Sequence, residues 1–287
     1  MLPAVDFDNT ASVAAFVQAK YAAMFEVPAS KWLDGVFSDI DDLFAGRSPA
    51  YAAIDLHYHN LRHTLMATVC MAMLLEGRHI SGADGRLKAR DFELAIAAVL
   101  LHDTGYIKLK GDTAGTGAKY TFCHILRSCA YAASYLAQEG VTDVEIENVL
   151  SAIDCTGPLC EIGRLRFRDQ VGRFVGCALA TSDYIGQLAD PLYPDKLGEL
   201  YLEFRESDDF SNVPVERRLF KSEADLVVQT PDFWHKFVKP KLEKDFQAVY
   251  RYLARPVLSG RNDYMDAVEA NFAKIVARNL AAQKAGV

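Results

Sequence analysis

The sequence contains no apolar run that could span a membrane, which takes about 20 residues. Residues 1–6 lack the basic and apolar segments of a signal peptide, so we expect none. Strand-type alternation of apolar and polar residues, internal repeats and a Pro/Ser/Gly-rich linker are missing as well. These absences favour an all-α protein with one domain over residues 1–287 and no membrane segment.

Positive charge and closely spaced cysteines are also scarce. Lys and Arg number 31 against 38 Asp and Glu, and the net charge of −7 argues against a nucleic-acid or anionic-membrane partner. The six cysteines are scattered, form no Cys-x-x-Cys and lie mostly among apolar residues. This usage is typical of reduced, buried thiols rather than of disulfides or a thiolate metal site, and it predicts a cytoplasmic protein.

What the sequence does contain is helical periodicity. The hydrophobic fraction of 51% is ordinary for a globular protein, and 287 residues can bury a large core. Apolar residues at helical spacing predict helical segments over 10–26, 30–44, 58–77, 91–103, 121–138, 143–154, 174–188, 193–204, 233–253 and 264–280. Residues 111–117 contain three glycines, which indicates a mobile loop and a candidate lid.

The chain is organised around one apolar helix that ends in a His-Asp pair. Leu94–Leu101 is eight consecutive apolar residues, followed by His102, Asp103 and the helix-ending Gly105. A run of this kind predicts a helix buried on most faces. Because buried charge is costly unless it is paired or bound to a metal, Asp103 needs a partner.

Other histidines and aspartates can supply partners. His59 and His63 are four residues apart, so on a helix they share a face. His124 and Asp183 lie on or beside two further apolar helices. Asp190 shares a helix face with Asp183, and we expect Asp183 to lie deeper because a small, apolar run precedes it.

This residue set has a definite chemistry. Imidazole and carboxylate without thiolate suit one or two divalent ions among Mn, Fe, Co, Zn, Ni and Mg, and argue against a structural zinc site. Two such ions can share a carboxylate and clamp the oxygens of a phosphoryl group. The set therefore points to hydrolysis of a phosphate ester.

Three motifs carry a family resemblance: Tyr58-His59-Asn60-x-x-His63-Thr64, His102-Asp103-Thr104-Gly105, and Asp183 within Ala180-Thr181-Ser182-Asp183. In order and helical setting they resemble the HD superfamily of metal-dependent phosphohydrolases, more closely its cyclic-nucleotide-phosphodiesterase-like branch. The resemblance implies an HD-type helical bundle with its metal-site core at about residues 55–190. Helical extensions over 1–50 and 195–287 would pack on that core.

The resemblance also implies residue roles. The ligands of a first metal would be His63, His102, Asp103 and Asp183, with Asp103 bridging to a second metal. His59 would be the acid that protonates the leaving oxygen. His124 falls where dinuclear HD proteins often place a histidine for the second metal.

The sequence departs from that pattern at several positions. Asp154 stands in the 153–156 region where dinuclear relatives carry another histidine, which leaves the second metal open. Tyr106 and Lys108 occupy the neighbourhood of a further histidine of the phosphodiesterase motif. Gln229 with Phe233 is only a loose match to a purine-selecting clamp, so the substrate is not assigned to cyclic nucleotides.

We therefore expect a metal-dependent phosphoric ester hydrolase that acts on a small phosphomonoester or phosphodiester, with nucleotide-derived esters included. The alternatives are an HD-type diiron oxygenase and a non-catalytic ligand-binding or regulatory HD domain; a homo-oligomer is left open. Candidate anion contacts are Lys108, Lys110, Lys119, Arg164, Arg166 and Arg168, although the three arginines also fit a solvated loop.

Overall fold

Ten α-helices account for most of the chain between residues 2 and 285, the part described by the computed structural model. Their bounds are α1 Thr10–Phe25, α2 Lys31–Phe44, α3 Leu61–Ser81, α4 Ala89–Leu101, α5 His124–Gln138, α6 Asp143–Asp154, α7 Gln170–Leu188, α8 Leu197–Phe210, α9 Glu223–Asp232 and α10 Asp263–Ala285. Within this part of the chain, extended pairing is limited to two isolated bridges. The prediction of an all-α fold is confirmed.

α4 is the central helix. Every residue of its apolar run, Leu94–Leu101, is buried, most of them completely. The helix packs against α2, α3, α6 and α7, so the apolar run has no face left for solvent. Burial of each large side chain in the run contributes about 1.5–3 kcal/mol. The run therefore does what its composition predicts and fixes His102 and Asp103 in the interior.

α3 and α7 pack closely against each other beside α4. Gly186 of α7 lies against the backbone of Ala67 in α3, and a Cβ on Gly186 would stand 3.1 Å from the Ala67 Cα. Ala67 is one helical turn beyond His63, and Gly186 is one turn beyond Asp183. Small residues at this crossing thus bring the side chains of His63 and Asp183 into contact.

One hydrophobic cluster draws buried residues from all ten helices. Trp234 is fully buried and stacks on Phe272 of α10, with ring centroids 5.4 Å apart. None of the helices within residues 2–285 combines the length and the apolar character that crossing a bilayer requires. The division into a core and two extensions stays a prediction.

Two helices start at residues other than those predicted, because N-cap side chains set their first residue. The side chain of Asn60 accepts the backbone N–H of His63, so α3 begins at Leu61 and not at Tyr58. His59 consequently precedes the helix, and the prediction that His59 and His63 lie on one helix is wrong. Similarly, Asp169 caps α7 and starts it at Gln170, four residues before the predicted start.

The C-terminal third departs further from the prediction. Residues 233–253 form short π and 3-10 turns instead of one α-helix. Pro231 and Pro240 lack the N–H that a continuous helix needs, which explains part of this irregularity. The predicted 193–204 segment is a short turn followed by α8, and α9 was not predicted at all.

Candidate metal centre

Three of the predicted ligands form one buried group. His63 lies in the first turn of α3, His102 follows the last residue of α4, and Asp103 is next in the chain. Asp103 Oδ2 is 3.2 Å from His63 Nε2 and 3.3 Å from His102 Nε2. All three side chains are at most 5% exposed. The group can hold a metal ion, because its ligand atoms lie within 4.8 Å of one another.

The ligand atoms of this group lack hydrogen-bond partners. His63 Nε2, His102 Nε2 and Asp103 Oδ2 are each buried without one. A buried polar atom left unsatisfied costs about 1–3 kcal/mol, so three together need an explanation. His102 Nδ1 donates to the Val99 carbonyl at 2.7 Å, which leaves the Nε2 lone pair free to bind a cation. A divalent ion fits this donor set.

Asp183 adds a second carboxylate to the group. Its Oδ1 lies 3.2 Å from His63 Nε2 and 3.6 Å from His102 Nε2. Gln187, one turn later in α7, donates to the backbone carbonyl of Asp183 and accepts the hydroxyl of Tyr58. The predicted set of His63, His102, Asp103 and Asp183 is therefore brought together in space.

The charges of the group favour a bound cation. Burial lowers the pKa of His63, but the facing carboxylates of Asp103 and Asp183 outweigh it and raise that pKa to about 9. Burial raises the pKa of Asp103, but His102 and His63 hold it well below its usual range. Burial also raises the pKa of Asp183, but the same two histidines hold it below its usual range. Burial lowers the pKa of His102, but Asp103 and Asp183 outweigh it and raise that pKa well above its ordinary value. Both carboxylates thus stay ionised opposite protonated imidazoles, and a divalent ion would bind in place of these protons.

His124 lies beside the group, at the N-terminus of α5. Its Nδ1 donates to the Thr121 carbonyl at 2.7 Å, and its Nε2 is 3.7 Å from Asp103 Oδ1. Burial lowers the pKa of His124, and Asp103 offsets this only in part, so the neutral, ligand-competent form is favoured. His124 is thus oriented toward the second oxygen of Asp103.

Tyr106 separates His124 from His59. Its ring stacks on His124 at a centroid distance of 4.4 Å and on His59 at 4.8 Å, with nearly parallel planes. Tyr106 is buried, so this three-ring stack cannot rearrange without a local repacking. It holds both histidines at fixed positions on the cavity wall.

Glu203 is a site residue that the sequence interpretation missed. It lies in α8, is buried, accepts the backbone N–H of Tyr58 at 2.8 Å and faces His59 Nδ1 at 2.7 Å. The contact holds the His59 ring and directs Nε2 away from α8. One carboxylate in a helix that carries several acidic residues is a weak signal, and its partner is 144 residues away in the chain.

A cavity of about 920 Å³ opens from this group. Asp103, Asp183, His59 and His124 line one end of it. Asp154 and Arg164 also line the cavity, but neither contacts the ligand atoms of the metal group. Asp154 accepts from the thiol of Cys129 instead.

Several predicted contributors lie elsewhere. Asp190 is less exposed than Asp183, 5% against 15%, so the expected order of depth is wrong. The carboxylate of Asp190 faces Arg62 at 3.5 Å, whereas Asp183 is more exposed because it lines the large cavity. Arg168 pairs with Asp169 and Asp91, away from the metal group.

The lysines and the glycine-rich loop form a separate contact network. Lys108 pairs with Asp55 and donates to the Gly115 carbonyl, and Lys119 pairs with Asp112. Thr116 is bonded to Glu206 of α8. These contacts anchor the loop. None of residues 111–117 lines the cavity, so the prediction of a lid is not supported. Lys110 and Arg166 do not line the cavity either.

Comparison with known proteins gives a local match. A family model described as Npun_R2479-like matches residues 47–120, about a quarter of the chain. The matched segment contains His59, His63, His102 and Asp103, but neither His124 nor Asp183. No curated protein and no solved structure gives a significant match. The similarity therefore covers part of the metal group and assigns no activity.

Proposed function

We propose that this protein is a metal-dependent phosphohydrolase of the HD type that cleaves a phosphate ester. The observation that carries the proposal is the convergence of three unpartnered, buried ligand atoms beside a histidine that a buried carboxylate orients. The resemblance in three motifs assigns metal binding to the first feature and acid catalysis to the second.

His63, His102, Asp103 and Asp183 would hold the first ion, and Asp103 with His124 would bind a second. When bound, a divalent ion polarises a phosphoryl oxygen and lowers the pKa of water, which assists attack on phosphorus. The carbonyl of Val99 fixes the His102 ring, and the Thr121 carbonyl fixes His124. The protein thus presents the ligand atoms before any ion arrives.

His59 would complete the reaction. A water oxygen forms a bond to phosphorus, the bond from phosphorus to the ester oxygen breaks, and His59 Nε2 gives a proton to that leaving oxygen. Glu203 accepts a hydrogen bond from His59 Nδ1 and so holds the ring on the cavity wall. Tyr106 keeps the ring in place by stacking.

The test is the leaving-group dependence of His59→Ala. The variant should retain metal and lose roughly 10²–10⁴-fold in turnover on alkyl phosphates, whose leaving alkoxide needs the proton. The loss should shrink for p-nitrophenyl esters, whose leaving group departs as a stable anion. His57→Ala is the matched control, because His57 is exposed and only two residues away.

Other outcomes would contradict the proposal. An equal loss on both ester types would mean that His59 positions the substrate or binds metal. Absence of phosphate release from any ester by the metal-loaded wild type would exclude phosphohydrolysis. Oxygen uptake in place of phosphate release would favour the diiron oxygenase.

A further inference from the structure

The walls of the cavity beyond the metal group are mainly apolar. The apolar side chains come from several elements, among them α5, α8, α9 and the segment that leads into α9, which contribute Ile125, Leu126, Leu200, Phe204, Phe220 and Leu226. At about 920 Å³ the cavity lies near the upper end of the volumes of small-molecule sites, which are about 300–1,000 Å³. The space is much larger than a phosphoryl group needs.

Four of the polar side chains in these walls are already bonded within the protein. Thr121, Thr156 and Thr230 each donate the hydroxyl to a carbonyl of their own helix or turn. Gln187 is bonded to Asp183 and Tyr58. The hydroxyls of Tyr184 and Tyr193 also line the cavity and have no bond to the described residues, but such free groups are few. A nucleobase or sugar in the cavity would therefore leave most of its donors and acceptors unpaired, which is costly away from water.

Cationic side chains are also missing from these walls. Within the described residues that line the cavity, Arg164 is the one lysine or arginine, and it pairs with Glu161 at 2.7 Å. Asp154 adds a carboxylate. A polyphosphate chain would find no free cation here, so the negative charge of a ligand belongs at the metal end alone.

We infer that the cavity binds the long hydrocarbon part of a phosphorylated amphiphile whose phosphate group lies at the metal end. The inference rests on the proposed function, for which it names the substrate class: a phosphate monoester of a long-chain alcohol. Each methylene that leaves water gains about 0.8 kcal/mol, or up to about fourfold in affinity. Chain length is therefore the property that this cavity can select.

The first measurement is binding, which does not depend on turnover. Methylphosphonate, hexylphosphonate and decylphosphonate are titrated by calorimetry into apo-protein and metal-loaded protein below their micelle concentrations. Affinity should rise about three- to fourfold per methylene in both forms. Decylphosphonate that binds no more tightly than methylphosphonate would overturn the inference.

The second measurement separates the inference from the proposed function. Ethyl, hexyl and decyl phosphate and adenosine monophosphate are compared as substrates of the metal-loaded protein. A rise in kcat/KM with chain length supports both. Cleavage of ethyl phosphate or the nucleotide as efficiently as decyl phosphate would support the proposed phosphohydrolase activity and overturn the inference. Chain-dependent binding with no cleavage of any ester would support the apolar binding site and contradict the proposed phosphohydrolase activity.

Variants at the cavity mouth complete the test. Leu126 lines the cavity but is 73% exposed, so Leu126→Glu should fold normally. It should weaken decylphosphonate binding roughly tenfold and leave methylphosphonate unchanged, because a charge then faces the chain. The matched control is Leu280→Glu, an exposed leucine of α10 that does not line the cavity. Equal effects of the two variants would overturn the inference.

Discussion

Gly105 lets the turn after Asp103 lie directly against the start of α5. A Cβ on Gly105 would stand 1.9 Å from the His124 carbonyl oxygen and 2.8 Å from the Ser128 nitrogen, both backbone atoms that cannot rotate away. Such contacts are essentially never closer than 3.0 Å, so Gly105→Ala must move α5 or the turn by about 1 Å.

The size of the effect follows from that movement. Overpacking of this kind costs about 1–3 kcal/mol or more. Metal–ligand distances tolerate only about 0.2 Å, so a shift of 1 Å removes His124 from its position beside Asp103. We expect Gly105→Ala to lower the free energy of unfolding and to lose the second metal while the first is retained.

The assay combines urea unfolding with metal titration, and Gly77→Ala is the control. A Cβ on Gly77 would stand 1.9 Å from the Tyr252 carbonyl oxygen, the same overlap at the far end of α3. That variant should be destabilised and keep both metals. Wild-type stability in Gly105→Ala, or equal metal loss in the two variants, would refute the reasoning.

Three more predictions concern the helices around the group. Asp183→Asn should weaken metal binding in a titration, whereas Asp190→Asn should not; the reverse would show that the wrong aspartate was chosen. Gly186→Val should push α7 from α3, cost about 1–3 kcal/mol in urea unfolding and lower metal affinity; unchanged affinity would mean that the crossing does not set the distance. Arg90, against a smaller effect of burial, lowers the pKa of Glu145 to about 2, and Glu145 also caps α6. The stability from this ionised carboxylate is present above the ordinary glutamate pKa and is lost as the pH falls toward 2, so Glu145→Gln should cost about 1 kcal/mol at pH 7 and less at pH 3. A pH-independent difference in unfolding free energy would contradict this origin.

The ligand group could be predicted because its sequence signal is local. An apolar run that ends in His102-Asp103 predicts a buried helix, and such a helix places the charge of Asp103 in the protein interior. His63 and Asp183 were singled out because each lies in an apolar helical segment, and the family resemblance then implied them as ligands. The structure brings these four side chains together, while their roles as ligands stay predictions.

The remaining features depend on tertiary contacts that no local pattern encodes. His59 lies outside α3 because Asn60 caps the helix. The periodicity of apolar residues does not show which single residue forms the cap. Glu203 becomes a partner of His59 only when α8 packs beside the start of α3. Asp190 lies beyond the end of α7, so the prediction that it shares a helix face with Asp183 is wrong. Its contact with Arg62 of α3 depends on tertiary packing.

The most direct test of the metal centre is the metal content of Asp103→Ala. Asp154→Ala is the control, because Asp154 lines the same cavity without facing the ligand atoms. Elemental analysis is carried out on both variants and the wild type after reconstitution with Mn, Fe or Zn, with folding checked by circular dichroism. Loss of a ligand should reduce affinity by more than the roughly 10–100-fold that the loss of a ligand's hydrogen-bond partner costs. We predict bound metal in the wild type and in Asp154→Ala and almost none in Asp103→Ala; a folded Asp103→Ala with the wild-type metal ratio would contradict the account.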